Sequence, residues 1–218
     1  MRNTANTPTR RIFLGGACGA ALLALPGCAS DLIGPPPNPP RLYLLRPAMP
    51  PAQAGPAVSW QLAVAVPDAP ASLDSVRIAL TQSGATMDYF ADAAWPDRLP
   101  LQVQVLLVEA FERTGRVPAV SRDSAALGAD YLLQTGVRRF EADYALPDGI
   151  PTVVIRMEAR LLNARDRRIA GSLSVEERAA ASANSVPAVV AAFNTALGAA
   201  LTRIVSWTLD TAPPLPRT

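Results

Sequence analysis

The chain has 218 residues, 20 basic and 18 acidic side chains, two cysteines, no histidine and a hydrophobic share of 50%. All 20 basic side chains are arginine, since lysine is absent as well. Ser-His-Asp and Cys-His catalysis, histidine metal sites, a P-loop and a Ser-Lys dyad are therefore excluded.

Residues 1–27 read as a signal peptide of the lipoprotein type. Arg2, Arg10 and Arg11 precede an apolar run from Ile12 to Leu25, and no acidic residue occurs before Asp31. Those 14 residues would make a helix of about 21 Å at about 1.5 Å per residue, too short for a hydrocarbon core of about 30 Å. That is the length of a signal-peptide core. Leu25-Pro26-Gly27-Cys28 resembles the bacterial lipobox. The expectation is cleavage between Gly27 and Cys28, with a diacylglycerol and an N-acyl chain such as palmitate on the Cys28 sulfur and amine. Several acyl chains anchor firmly where a single one exchanges. Thr9-Arg10-Arg11-Ile12-Phe13-Leu14 looks like a twin-arginine signal, but paired arginines also occur in general secretory signals, and both routes stay open. Ala29, next after Cys28, favours the outer over the inner membrane, since in enteric bacteria an aspartate there retains a lipoprotein in the inner one.

Loss of residues 1–27 changes the formal charge from 20 − 18 = +2 to 17 − 18 = −1, which excludes a basic nucleic-acid binder. Cys18 goes with the signal and Cys28 is acylated, so no disulfide can form. Residues 28–40 form the lipidated N-terminus and a tether. Its Pro35-Pro36-Pro37-Asn38-Pro39-Pro40 run favours polyproline II, about 3.1 Å per residue, for a spacer of roughly 35–40 Å over Ala29–Pro40.

Residues 41–210 are expected to form one domain. Arg41 to Leu45 is a strand candidate, and Pro47 to Ala57 a loop. Val58, Trp60, Leu62, Val64 and Val66 alternate with small or polar residues, the period of a strand with one face in the core. Val76 to Leu80 resumes the alternation, and Met87 to Phe90 is a further strand leading to Trp95. From Pro96 the period changes. Leu99, Val103, Leu106, Leu107, Ala110 and Phe111 predict an amphipathic helix from Asp97 as N-cap to Gly115, with Pro100 in its first turn.

Val117 to Val120 is a short strand, and Ser124 to Gly128 one helical turn. Tyr131, Leu133, Thr135 and Val137 alternate; after Arg138-Arg139 the pattern restarts in the other phase at Phe140, which predicts a bulge at the arginine pair. Val153 to Leu161 and Ile169 to Val175 complete an antiparallel meander around a turn at Asn163 to Asp166. A last helix begins near Ser185, with Pro187 in its first turn, and ends around Leu209; residues 211–218 are a proline-rich tail expected to be disordered. This order of elements predicts an α+β domain, a mixed, largely antiparallel sheet with two helices packed on one face.

Asp88, Asp92 and Asp97 fit no Ca²⁺-loop spacing and read as solvated loop carboxylates. Tyr89, Phe90 and Trp95 are candidate partner-contacting aromatics, because such residues anchor interfaces; core packing is the alternative. Arg138 and Arg139, with Glu141 and Asp143 nearby, point to cross-strand ion pairing. Phe193 reads as a core anchor and Asn194 as a polar contact.

Several segments together resemble the ABC-type transport auxiliary lipoproteins, the family that includes PqiC-type lipoproteins. They are Leu73 to Ala79, Tyr89 to Trp95 with Arg98-Leu99-Pro100, Ala110-Phe111-Glu112, Asp130 to Leu133 and Ala192-Phe193-Asn194. They run in order over about residues 38–208. Phe90 and Ser75 stand where tyrosine and threonine are common in the family. The resemblance implies a non-enzymatic, periplasm-facing lipoprotein of the cell envelope, needing no cofactor. It implies partnership with an MCE-domain protein and an ABC permease and ATPase in lipid transport between the membranes, and self-association in some members. The alternative from another class is a structural envelope lipoprotein that supports outer-membrane assembly or cell-wall contact without a transporter.

Overall fold

The computed structural model describes residues 39–50, 55–83, 86–122, 128–146 and 148–213, all within one compact unit. The expected signal peptide, lipobox-like tetrapeptide, tether before Pro39, helical turn from Ser124 except Gly128, and tail beyond Pro213 lie outside the described residues. Among the described residues there are eight strands: β1 (Arg41–Leu42), β2 (Leu62–Val64), β3 (Arg77–Gln82), β4 (Thr86–Ala94), β5 (Val120–Arg122), β6 (Tyr131–Tyr144), β7 (Thr152–Asn163) and β8 (Ile169–Ala180). The helices are α1 (Leu99–Thr114) and α2 (Val186–Thr211).

β6 is the hub of the sheet. One edge pairs with β7, which pairs with β8. Its other edge is shared: β2 lies opposite Tyr131–Leu133 and β3 opposite Glu141–Tyr144. The sheet therefore forks into one arm of β2 and β5 and another of β3, β4 and β1. The fork falls at a register shift between Val137 and Arg139, where the sequence slips phase. A local bulge bends the strand and lets its two halves take different neighbours.

The expectation of a largely antiparallel sheet holds only in part. The pairs β3–β4, β6–β7 and β7–β8 are antiparallel, whereas β1–β4, β2–β5, β2–β6 and β3–β6 are parallel. Antiparallel neighbours are joined by short turns that periodicity makes legible; parallel neighbours need long crossovers that it does not. β1 is short because Pro39 and Pro40, just before it, have no N–H to donate to a ladder.

β2 is also shorter than its alternation suggests. Leu62, Ala63 and Val64 are all buried, and the strand lies between β5 and β6. Pairing then continues irregularly: Ala65 N–H donates to the Leu133 carbonyl at 3.0 Å and Asp68 N–H to that of Thr135 at 2.9 Å.

α1 ends where the sequence places its stop, on Gly115 in the left-handed region at φ 65°, a conformation glycine adopts without steric cost. Its start differs. Arg98, not Asp97, is the N-cap; the Asp97 carboxylate instead accepts the Arg98 N–H at 2.7 Å, and Leu99 N–H bonds the Ser75 carbonyl at 3.0 Å. α2 is long and apolar enough to cross a membrane, but 61% of its most apolar window is buried against the rest of the domain. It packs on β7, β8 and α1. Val153, Ile155, Met157, Ala159 and Leu161 of β7 meet Val189, Phe193, Leu197 and Leu201 of α2 in one apolar cluster. Full burial contributes about 1.5–3 kcal/mol per large side chain.

Candidate functional site

Of the three candidate aromatics, the structure separates one from the other two. Trp95 is 1% exposed and stands edge-on to Phe140 and Phe193 at 6.3 and 5.5 Å between ring centres; Phe140 and Phe193 stack at 4.8 Å. Its N–H donates to the Val76 carbonyl at 2.7 Å, which fixes the residue where β4 turns inward. Trp95 is thus a core residue, and the expectation that it meets a partner is corrected: no face of its ring is offered to one. Edge and stacked arrangements favour such rings beyond their area alone.

Tyr89 and Phe90 are half-buried in β4. The Tyr89 ring lies 3.5 Å beneath the Arg77 guanidinium, and its hydroxyl donates to the Ser72 carbonyl at 3.1 Å. Met87 beside them is 40% exposed. Arg98 pairs with Asp74, its Nε donating at 2.8 Å, and this bond with the Asp74 charge holds the guanidinium pKa above its ordinary value. Asp88 accepts the Tyr89 N–H at 2.8 Å. Among the described residues, no group of three or more Asp, Glu, His or Cys side chains is placed to hold a metal ion.

At the fork, Arg138 reaches Asp68 at 3.2 Å and, across the β6–β7 pair, Glu158 at 3.0 Å. The Arg138 hydrogen bond and charge lower the Glu158 pKa. Arg139 pairs along its own strand with Glu141 at 2.6 Å and Asp143 at 3.2 Å. Expected ion pairing is present, cross-strand for Arg138 and same-strand for Arg139. A cleft of about 320 Å³ opens here, lined by Asp68, Gln134, Gly136, Arg138, Glu158 and Arg160. Its two arginines face two carboxylates, so it offers no net field to a charged ligand.

A strap that sequence reasoning reads only as strand end and loop crosses the helix layer. Over residues 43–50 it runs with Leu106, Glu109 and Arg113 of α1 on one side and Asn194 and Gly198 of α2 on the other. Arg46 N–H donates to Asn194 Oδ1 at 2.7 Å, which is the polar contact expected of Asn194. A Cβ on Gly198 would come within 2.8 Å of the Ala48 carbonyl, so the close approach of strap and helix requires glycine.

The two ends of the long meander differ. At one, the β6–β7 turn presents Leu146 and Ile150, 70% and 61% exposed, the highest among the described large hydrophobics. At the other, the Asn163–Arg168 turn carries Arg165, Arg167 and Arg168. There Tyr131 donates its hydroxyl to the Pro213 carbonyl at 2.8 Å; burial raises its pKa. Neither feature is encoded in a periodicity.

The fold and surface define a class: an α+β domain whose aromatic rings close its core and whose charged side chains largely pair with one another. The chain belongs to the family described as the ABC-type transport auxiliary lipoprotein component, whose model matches residues 43–205. That span runs from the strap to the last turns of α2. The structure of protein XCC0632 from Xanthomonas campestris is similar at 34% identity and a TM-score of 0.73, covering 78% of this chain and 95% of that one. A structure of an uncharacterized protein shares the fold at 18% identity and a TM-score of 0.58, over 74% of this chain and 99% of that one. An uncharacterized protein of Bradyrhizobium diazoefficiens, bll6063, is 32% identical over 162 residues, 73% of this chain; the match spans 43% of that relative's length.

Proposed function

We propose that the chain is a non-enzymatic adaptor of an MCE/ABC-type lipid transport system, anchored through acylated Cys28 on the periplasmic side of the outer membrane. The observation that carries this reading is the family match over residues 43–205, essentially the whole folded domain, downstream of a lipobox. The adaptor docks an MCE-domain protein and, through it, the ABC permease and ATPase. Met87 with the exposed parts of Tyr89 and Phe90 is the contact patch, and copies of the chain associate with one another. No cofactor beyond the acyl chains on Cys28 takes part, because the chemistry belongs to the transporter. Affinity purification of the full-length lipoprotein from detergent-solubilised cells should recover an MCE-domain protein and ABC subunits. Repeated recovery of neither, under conditions that preserve other envelope complexes, contradicts the proposal.

A further inference from the structure

We propose that the β6–β7 turn is a lipid-contacting tip: Leu146 and Ile150 rest in the surface of the membrane that holds Cys28, and the meander stands away from it. The proposal rests on the Cys28 anchor of the preceding reading.

The turn is built to present its aliphatic side chains. Gly149 N–H donates to the Leu146 carbonyl at 3.0 Å and closes the loop. Asn184 braces it from behind, accepting the Tyr144 hydroxyl at 2.9 Å and donating to the Asp148 carbonyl at 3.5 Å. Ala181 N–H adds a bond to the Pro151 carbonyl at 3.0 Å. The turn is held by its own chain while Leu146 and Ile150, four residues apart, stay 70% and 61% exposed, and apolar side chains brought together at a surface mark contact sites.

Strand directions show that the chain just before β1 comes from the side of the same end. β3 runs parallel to β6, with Gln82 opposite Tyr144, so the β3–β4 and β6–β7 turns are neighbours. β4 starts there and β1 runs parallel to it, with Arg41 opposite Ala93. The chain therefore enters β1 heading away from the tip end. From Ala93 back to Thr86 is at most about 23–26 Å at about 3.3 Å per residue. The residues from Ala29 to Pro40, about 37 Å when extended at about 3.1 Å each, are long enough to bring Cys28 level with the tip or beyond it. Lipid is the occupant these observations favour, because an anchor at Cys28 would keep the tip within reach of a membrane and aliphatic side chains need only an apolar medium. The arginine-bearing turn at the opposite end makes the rival prediction, attraction to anionic headgroups.

The test uses the full lipoprotein reconstituted into vesicles. With Cys28 acylated and Cys18 removed with the signal, an introduced cysteine is the sole free thiol. Ile150→Cys and Ile169→Cys, at opposite ends and equally exposed in the native chain (61% and 59%), each carry an environment-sensitive fluorophore. In phosphatidylcholine vesicles the position-150 label should shift to the blue and be quenched by brominated lipid, while the position-169 label stays as in water. Adding Leu146→Asp should reduce the shift at position 150. A position-150 label unchanged in protein that floats with the vesicles overturns the tip and leaves the anchor standing. So does a shift that appears only when a partner protein is added, or a shift at position 169 alone with phosphatidylglycerol. Failure to float overturns the anchor and the tip with it.

Discussion

The two faces of the β6–β7–β8 meander do different work. The face toward α2 carries Val153, Ile155, Met157, Ala159 and Leu161, all buried, and receives Phe193 and Leu197. The opposite face carries Arg156, Glu158 and Arg160 on β7, with Glu176 and Arg178 on β8. Glu176 pairs with Arg178 at 2.8 Å, and Glu158 with Arg138 at 3.0 Å. Burial of apolar area and close packing stabilise the first face, while exposed ion pairs contribute little to stability and keep the second wet. Stability and surface character are thus set by alternate residues of the same strands.

Truncating the inner face tests this most severely. Phe193→Ala removes a ring that meets both Trp95 and Phe140, and should destabilise the domain by about 3–5 kcal/mol in denaturant unfolding. Gly198→Val acts where α2 meets the strap. A side chain there collides with the Ala48 carbonyl, at an expected cost of about 1–3 kcal/mol, and amide exchange over Tyr43–Ala48 should rise while the meander stays protected. Thr135 is an inner-face exception, with a buried hydroxyl that has no hydrogen-bond partner among the described residues. Thr135→Val should therefore be neutral or stabilising by up to about 1 kcal/mol, and a clear loss of stability would show that the hydroxyl has a partner.

The outer face should respond least. Arg138→Met should leave the unfolding midpoint close to wild type at physiological salt, because the pair is screened. Its effect has a pH signature. Arg138 lowers the folded-state pKa of Glu158, so the contribution of the pair is present above the unfolded carboxylate pKa, about 4.3, and is lost as pH falls through the lower folded value. Wild type and variant should converge in acid. A difference that grows as pH falls would reverse the assignment.

What could be read from the sequence follows the same division. The meander, both helices, the glycine stop at Gly115 and the bulge at Arg138-Arg139 were legible because periodicity reports a face, and a slip in phase reports a bulge. The fork was not, because β2 and β3 join β6 by parallel pairing between distant segments. Trp95 was ambiguous for a related reason. The β3–β4 register shifts between Arg77 and Ala79, so the period that would assign Trp95 to the core is broken just before it. The strap and the Leu146/Ile150 tip lie in stretches rich in proline, glycine and alanine, where no period exists to read.

The central claim is that this domain works by position, held to a membrane at Cys28, and the Cys28→Ser variant tests it most directly. Produced in cells that lack the native copy, it should accumulate as a folded, soluble periplasmic protein with the circular dichroism of the wild-type domain and fail to restore lipid exchange between the membranes. Full restoration by that soluble variant would contradict the account.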